Sequence, residues 1–180
     1  MDKKSNRVSM TPGPGTGAPF SNNPKLYDEM GNRKTDNKEL AKAAFNAAEE
    51  FMIGVAVTHE RMFKAGKVIF SYTNGAFACE LFFKSLLHHY NINFDKKHNL
   101  HYLFEVLPEN IKNDLRSQFV KLLPNQCLDE QLKEIGDAFV FARYSYVRSS
   151  FILRHDLLFT VSKLIHDIAK KEIMQDEKKL

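Results

Sequence analysis

Apolar residues recur at steps of three and four along most of the chain, and this spacing predicts helices from residue 38 onward. Asp36 or Asn37 is placed to cap a first helix that begins near Lys38. Its apolar stripe reads Leu40, Ala44, Ala47, Phe51, Val55 and Met62, and Lys64-Ala65-Gly66 suits its C-terminus. The second helix has the cleanest stripe: Ile69, Tyr72, Ala76, Cys79, Phe83, Leu86 and Tyr90. Glu80 and Lys84 sit four apart beside that stripe, a favourable helical pair. After the polar linker 91–97, a short helix turns Leu100, Leu103, Phe104 and Leu107 inward, and Pro108 ends it. Proline is tolerated in a first turn, so Pro108 can also open the next helix, which runs to about Leu123.

The last 50 residues read as helical throughout, with one stripe at Leu128, Leu132, Ile135, Phe139, Ala142 and Tyr146 and its continuation at Leu153, Leu157, Val161, Leu164 and Ile168. Arg148-Ser149-Ser150 interrupts the stripe, so either one helix crosses a polar gap or two helices meet at a bend. Val and Ile never alternate over five residues, which excludes a convincing strand. The expected fold is all-α: a bundle of four to five main helices plus one short helix.

Proline and glycine place the domain boundary. Four of six prolines fall in the first 24 residues and four of eight glycines in the first 31, so residues 1–36 read as a flexible tail and 37–180 as the helical domain. The tail lacks the apolar run of a signal peptide, and no apolar stretch approaches 18 residues. A cytoplasmic protein without membrane contact is the expectation. Two cysteines among 180 residues exclude a disulfide scaffold and a four-cysteine zinc site, and Cys79 on its stripe reads as a buried hydrophobe. The net charge of +4 is divided evenly: six basic against four acidic residues in 1–36, and twenty against eighteen in 37–180. Any attraction to nucleic acid is therefore local, and Arg143, Arg148 and Arg154 mark the place.

That segment carries the candidate chemistry. On a continuous helix Arg148, His155, Ser162 and His166 share a face, with Arg148 and His155 about 10 Å apart along the axis. Arginine holds a phosphate through a fork of donors, and histidine moves a proton near neutral pH. RNA cleavage needs those two parts: a proton acceptor or donor for the 2′-hydroxyl and leaving group, and a cation for the phosphorane. The alternative is the solvated polar face of a surface helix. His98 and His101, three apart, open a weaker third possibility, a histidine-held metal. No HExxH, CxxC or phosphate-binding glycine loop accompanies them.

Three segments in order resemble the HEPN domain superfamily. Ala78-Cys-Glu-Leu-Phe-Phe-Lys84-Ser-Leu-Leu is similar to the family's second-helix segment. His98-Asn-Leu-x-x-Leu-Phe-x-x-Leu-Pro108 resembles the short helix that follows it. Phe139-x-x-x-Arg143-Tyr144-x-Tyr146 is similar to the Arg-Tyr segment of many bacterial members. The resemblance covers roughly residues 38–175. It implies an all-α, commonly dimeric protein that binds or cleaves RNA without a metal or other cofactor, in a bacterial defence or toxin–antitoxin setting. A cognate antitoxin or defence-system protein is then an implied partner. The implied alternative is a non-catalytic dimerising module for a nucleotide or protein partner. The family's catalytic motif is an arginine, four to six residues, then a histidine. Arg148 and His155 meet that spacing, although Ser149 departs from the Asn, Asp or His usual after the arginine. Arg143 as the family arginine would leave eleven residues before His155, which fails. The resemblance thus implies Arg148 on the phosphate and His155 as general acid/base. Arg143, Tyr144, Ser149 and Arg154 would bind RNA or support them, Tyr144 by orienting Arg148 or stacking on a base.

Overall fold

The computed structural model describes residues 36–95, 97–145 and 152–175. Among these there are seven helices and no strand. Four are long: α1 (Asn37–Lys64), α2 (Val68–His89), α4 (Glu109–Leu122) and α7 (His155–Gln175). Three are short: α3 (Leu100–Glu105), α5 (Leu128–Glu134) and α6 (Ala138–Arg143). The all-α expectation holds, with three short helices where one was expected.

α1 starts where its cap predicts, with the Asp36 carboxylate accepting from the Lys38 amide at 3.4 Å. It stops at Lys64, and Gly66 takes the left-handed φ of +68° that turns the chain into α2. The buried face of α1 is Ala41, Phe45, Ala48 and Val55, of which only Val55 belongs to the stripe predicted for it. Leu40, Ala44, Ala47 and Phe51 lie at the edge, half-buried, because Phe45 fixes the rotation of the helix by stacking on His166 of α7 and tilting against Phe82 of α2. Met62 contributes no described side chain.

α2 is the central helix. Tyr72, Ala76, Cys79, Phe83 and Leu86 of its predicted stripe are buried, and so are Ala78, Phe82 and Leu87 off the stripe. A helix buried on more than one side has partners on each; α2 packs on α1, α3, α6 and α7. Gly75 permits one of these approaches: a Cβ there would stand 2.8 Å from the Phe159 ring on α7.

The C-terminal region is not helical throughout. α5 stops at Glu134 and α6 begins at Ala138, with Gly136 between them. The Gly136 carbonyl accepts from the Leu100 amide at 2.8 Å, so the break serves as the seat of α3. The side chains predicted inward survive the break: Leu128, Leu132, Ile135 and Ala142 are buried and Phe139 half-buried. A second break separates α6 from α7, since residues 152–154 are not helical and Arg154 caps α7 by accepting the Leu158 amide at 2.9 Å. The alternative of one helix through the polar gap is thereby excluded. Tyr146 lies outside the described residues.

Candidate functional site

The family-like Glu80–Lys84 pair is an interior feature. The Glu80 side chain is only 1% exposed; its Oε1 receives Lys84 Nζ at 2.6 Å and faces His98 Nδ1 at 2.9 Å. The next residue, Asn99, caps α3 by accepting the Tyr102 amide at 2.9 Å and donates to Asp137 at 2.9 Å. A buried carboxylate must be paired, so Glu80 fixes where the chain re-enters after the linker. The His98 ring also lies 5.6 Å from Phe139. Its proposed metal partner His101 points elsewhere, to Glu105 at 3.6 Å. Among the described residues no group of three or more His, Cys, Asp or Glu side chains is placed to hold a metal. Burial pushes the Cys79 thiol up to about 12, consistent with its reading as a packed hydrophobe.

His155 is the first residue of α7. Its ring stacks on Phe159 (5.8 Å between centroids), meets Tyr72 of α2 edge-on at 4.9 Å, and lies 6.1 Å from His59 of α1. Both ring nitrogens are shielded from solvent and have no hydrogen-bond partner among the described residues, and the same is true of His59 Nδ1. Burial, with the neighbouring His59, holds the His155 pKa below the usual histidine value. Burial also pushes the Tyr72 phenol up to about 12, against a hydrogen bond with the Arg154 backbone. Tyr72 is therefore a neutral neighbour. A polar pocket of about 430 Å³ opens beside the start of α7, lined by Gln126, Arg154, His155, Asp156 and Thr160 among others. On the α1 side of the cluster lies an apolar pocket of about 390 Å³, lined by Met52, Val55, Ala56, His59 and Phe159.

The remaining predicted residues fall into separate places. Arg154 adjoins His155 in sequence, and its guanidinium is engaged by Glu134 and Gln131 of α5. Arg143 ends α6, exposed, with its guanidinium 5.3 Å from the Phe139 ring and 5.5 Å from the Tyr144 ring. Tyr144 follows it at the helix end, also exposed. Arg148 and Ser149 lie outside the described residues. Because residues 152–154 are not helical and α7 begins only at His155, the 10 Å axial estimate, which assumed one continuous helix, does not carry over. The face running His155, Ser162, His166 does exist, but it points inward. Ser162 is fully buried and donates to the Leu158 carbonyl at 2.8 Å. His166 is held between Glu49 at 3.1 Å and Asp167 at 2.8 Å.

His59 was absent from the sequence prediction. Its signal was available: it stands one turn after Val55 and two after Met52, on the face of α1 that the fold buries.

Comparison with known families bears on the whole of this arrangement. The model of the HEPN domain matches residues 57–172, from the second half of α1 to near the end of α7. The chain belongs to the HEPN domain family. No curated protein and no solved structure matches it. The HEPN match takes in His59, Tyr72, Glu80, Lys84, His98 and His155, so the interior carboxylate and the ring cluster at α7 both belong to the HEPN unit. HEPN membership points to RNA or nucleotides as the class of ligand. Among the described residues no helix is long and apolar enough to cross a membrane.

Proposed function

We propose that this HEPN protein binds RNA and cleaves it without a metal, with His155 as the general acid/base and Arg148 as the phosphate clamp. The observation that carries the proposal is the state of the His155 imidazole: neither nitrogen is committed to an internal partner, and its pKa is held low. At neutral pH such a ring is unprotonated and ready to accept the 2′-hydroxyl proton. The 2′-oxygen then attacks phosphorus, the P–O5′ bond breaks, and the products are a 2′,3′-cyclic phosphate and a 5′-hydroxyl that takes up a proton. Arg148 offsets the charge of the phosphorane. Arg143 and Tyr144, both exposed at the end of α6, supply a cation and a stacking surface for the strand. Ser149 and Arg154 support the clamp. Since both His155 nitrogens are shielded, substrate reaches them only when the packing around the ring opens.

The shielding favours a second reading, a non-catalytic HEPN module that dimerises and binds a nucleotide or a protein partner. The setting we propose for either is a bacterial cytoplasm, as a homodimer working with a defence-system protein or a cognate antitoxin. Incubation with structured RNA in EDTA separates the two. Cleavage by the wild type and its loss in His155→Ala supports catalysis. Equal products from both proteins, or RNA bound by the wild type and left intact, supports the second reading.

A further inference from the structure

Two histidines from distant parts of the chain meet where α1 packs on α7. The rings of His59 and His155 stand 6.1 Å apart between centroids, and Phe159 completes a near-equilateral triangle at 5.8 Å from each. Nδ1 of His59 and both nitrogens of His155 are shielded from solvent and have no hydrogen-bond partner among the described residues. The contrast with other histidines is plain: His98 is held by Glu80, and His166 by Glu49 and Asp167. Shielded polar atoms without partners cost free energy, and such a group calls for a water, an ion or a ligand. On one ion with metal–nitrogen bonds of about 2 Å, two imidazole rings have their centres about 5–6.5 Å apart. The observed separation lies in that range.

We infer that His59 and His155 together bind a late transition-metal dication of the Zn²⁺ class. Imidazole suits Zn²⁺, Cu²⁺ and Ni²⁺, whereas Mg²⁺ and Ca²⁺ prefer oxygen. The ion needs the lone pair of a neutral ring, and the low pKa of His155 keeps one available at neutral pH. Among the described residues no third His, Cys, Asp or Glu joins the pair, so the remaining positions of a tetrahedral ion fall to water. His155 also lines the polar pocket of about 430 Å³, with Gln126, Asp156 and Thr160, which is the entry for a hydrated ion. Asp156 adds a negative charge there, and Glu134 offsets the positive charge of Arg154. Two protein ligands make a site that loads and unloads, as regulation requires, rather than one that holds the fold together. An ion on His155 takes up the nitrogen needed for proton transfer, so Zn²⁺ would inhibit cleavage. That consequence rests on the RNA-cleaving reading above, and the site itself does not.

Isothermal titration of Zn²⁺ into the untagged full chain at pH 7.5, without RNA, reads the site directly. The wild type should bind one ion per chain with a micromolar Kd. His59→Phe and His155→Phe should each weaken that binding at least tenfold, while His89→Ala and His101→Ala leave it unchanged. His59→Gln, which keeps a polar side chain, serves the same purpose should the phenylalanine variant fail to fold. No binding at 1 mM Zn²⁺ overturns the inference. So does binding that the His59 and His155 variants leave intact, or that His89→Ala or His101→Ala removes. Zn²⁺ bound by a wild type that cleaves no RNA would uphold the site and refute the cleavage reading. RNA cleavage in EDTA by a chain that binds no Zn²⁺ would do the reverse.

Discussion

Glu80 and His155 are two interior polar residues with opposite circumstances. Glu80 has its partners, Lys84 and His98, and His155 has none. Glu80→Ala would leave both partners without their carboxylate and should cost about 2–3 kcal/mol in a denaturant titration, with a smaller loss for Glu80→Gln. An unchanged midpoint in Glu80→Ala would refute the anchoring role. His155 makes stability depend on pH. Its folded pKa lies below the unfolded value of 6.5, so on acidification the unfolded chain takes up the proton first. Its contribution is complete above about 6.5 and is lost as the pH falls below that value. His88, shifted down by burial and by Lys84, acts in the same direction. Melting temperatures at pH 7.5 and 5.5 should therefore drop less in His155→Phe than in the wild type, and equal drops would contradict the assignment. At this scale the sequence was legible where spacing was local, as for Glu80 and Lys84, one turn apart. It was silent on His59 beside His155, because 96 positions separate them and only the packing of α1 on α7 brings the rings together.

The elements show where helical periodicity suffices and where it does not. A stripe survives a break in its helix, so Leu128 through Ala142 read correctly as inward although Gly136 divides α5 from α6. The break could not be read from the stripe, because its cause lies in α3: Gly136 offers its carbonyl to Leu100 and leaves room for the Asn99 side chain. An added Cβ at Gly136 would stand 2.8 Å from Asn99 Nδ2 and 3.1 Å from the Leu132 carbonyl. Gly136→Ala should thus cost about 1–2 kcal/mol, the worth of the displaced cap. Combined with Asn99→Ala, the losses should fall short of their sum, because both act on one cap. Full additivity in chemical denaturation would show that Gly136 and Asn99 are uncoupled. α1 illustrates the converse. Its small and aromatic residues fill several stripes, and only tertiary contact at Phe45 decided which one faced the core.

For the molecule as a whole, the near-balanced charge of residues 37–180 means that any electrostatic attraction to RNA is local. α6 brings Arg143 and Tyr144 to the surface, and α7 opens on Arg154 and His155 beside a polar pocket. The HEPN match points to the ligand class, and the proposed proton transfer rests on His155, whose ring nitrogens have no hydrogen-bond partner among the described residues. The most direct test is end-group analysis of a 5′-labelled RNA incubated with the protein in EDTA at pH 7. The account predicts 2′,3′-cyclic phosphate ends from the wild type and none where a single 2′-deoxy residue replaces the cleaved position. It also predicts a rate about 100-fold lower, or less, for His155→Ala. Cleavage at the deoxy position, or wild-type rates from His155→Ala, would contradict it.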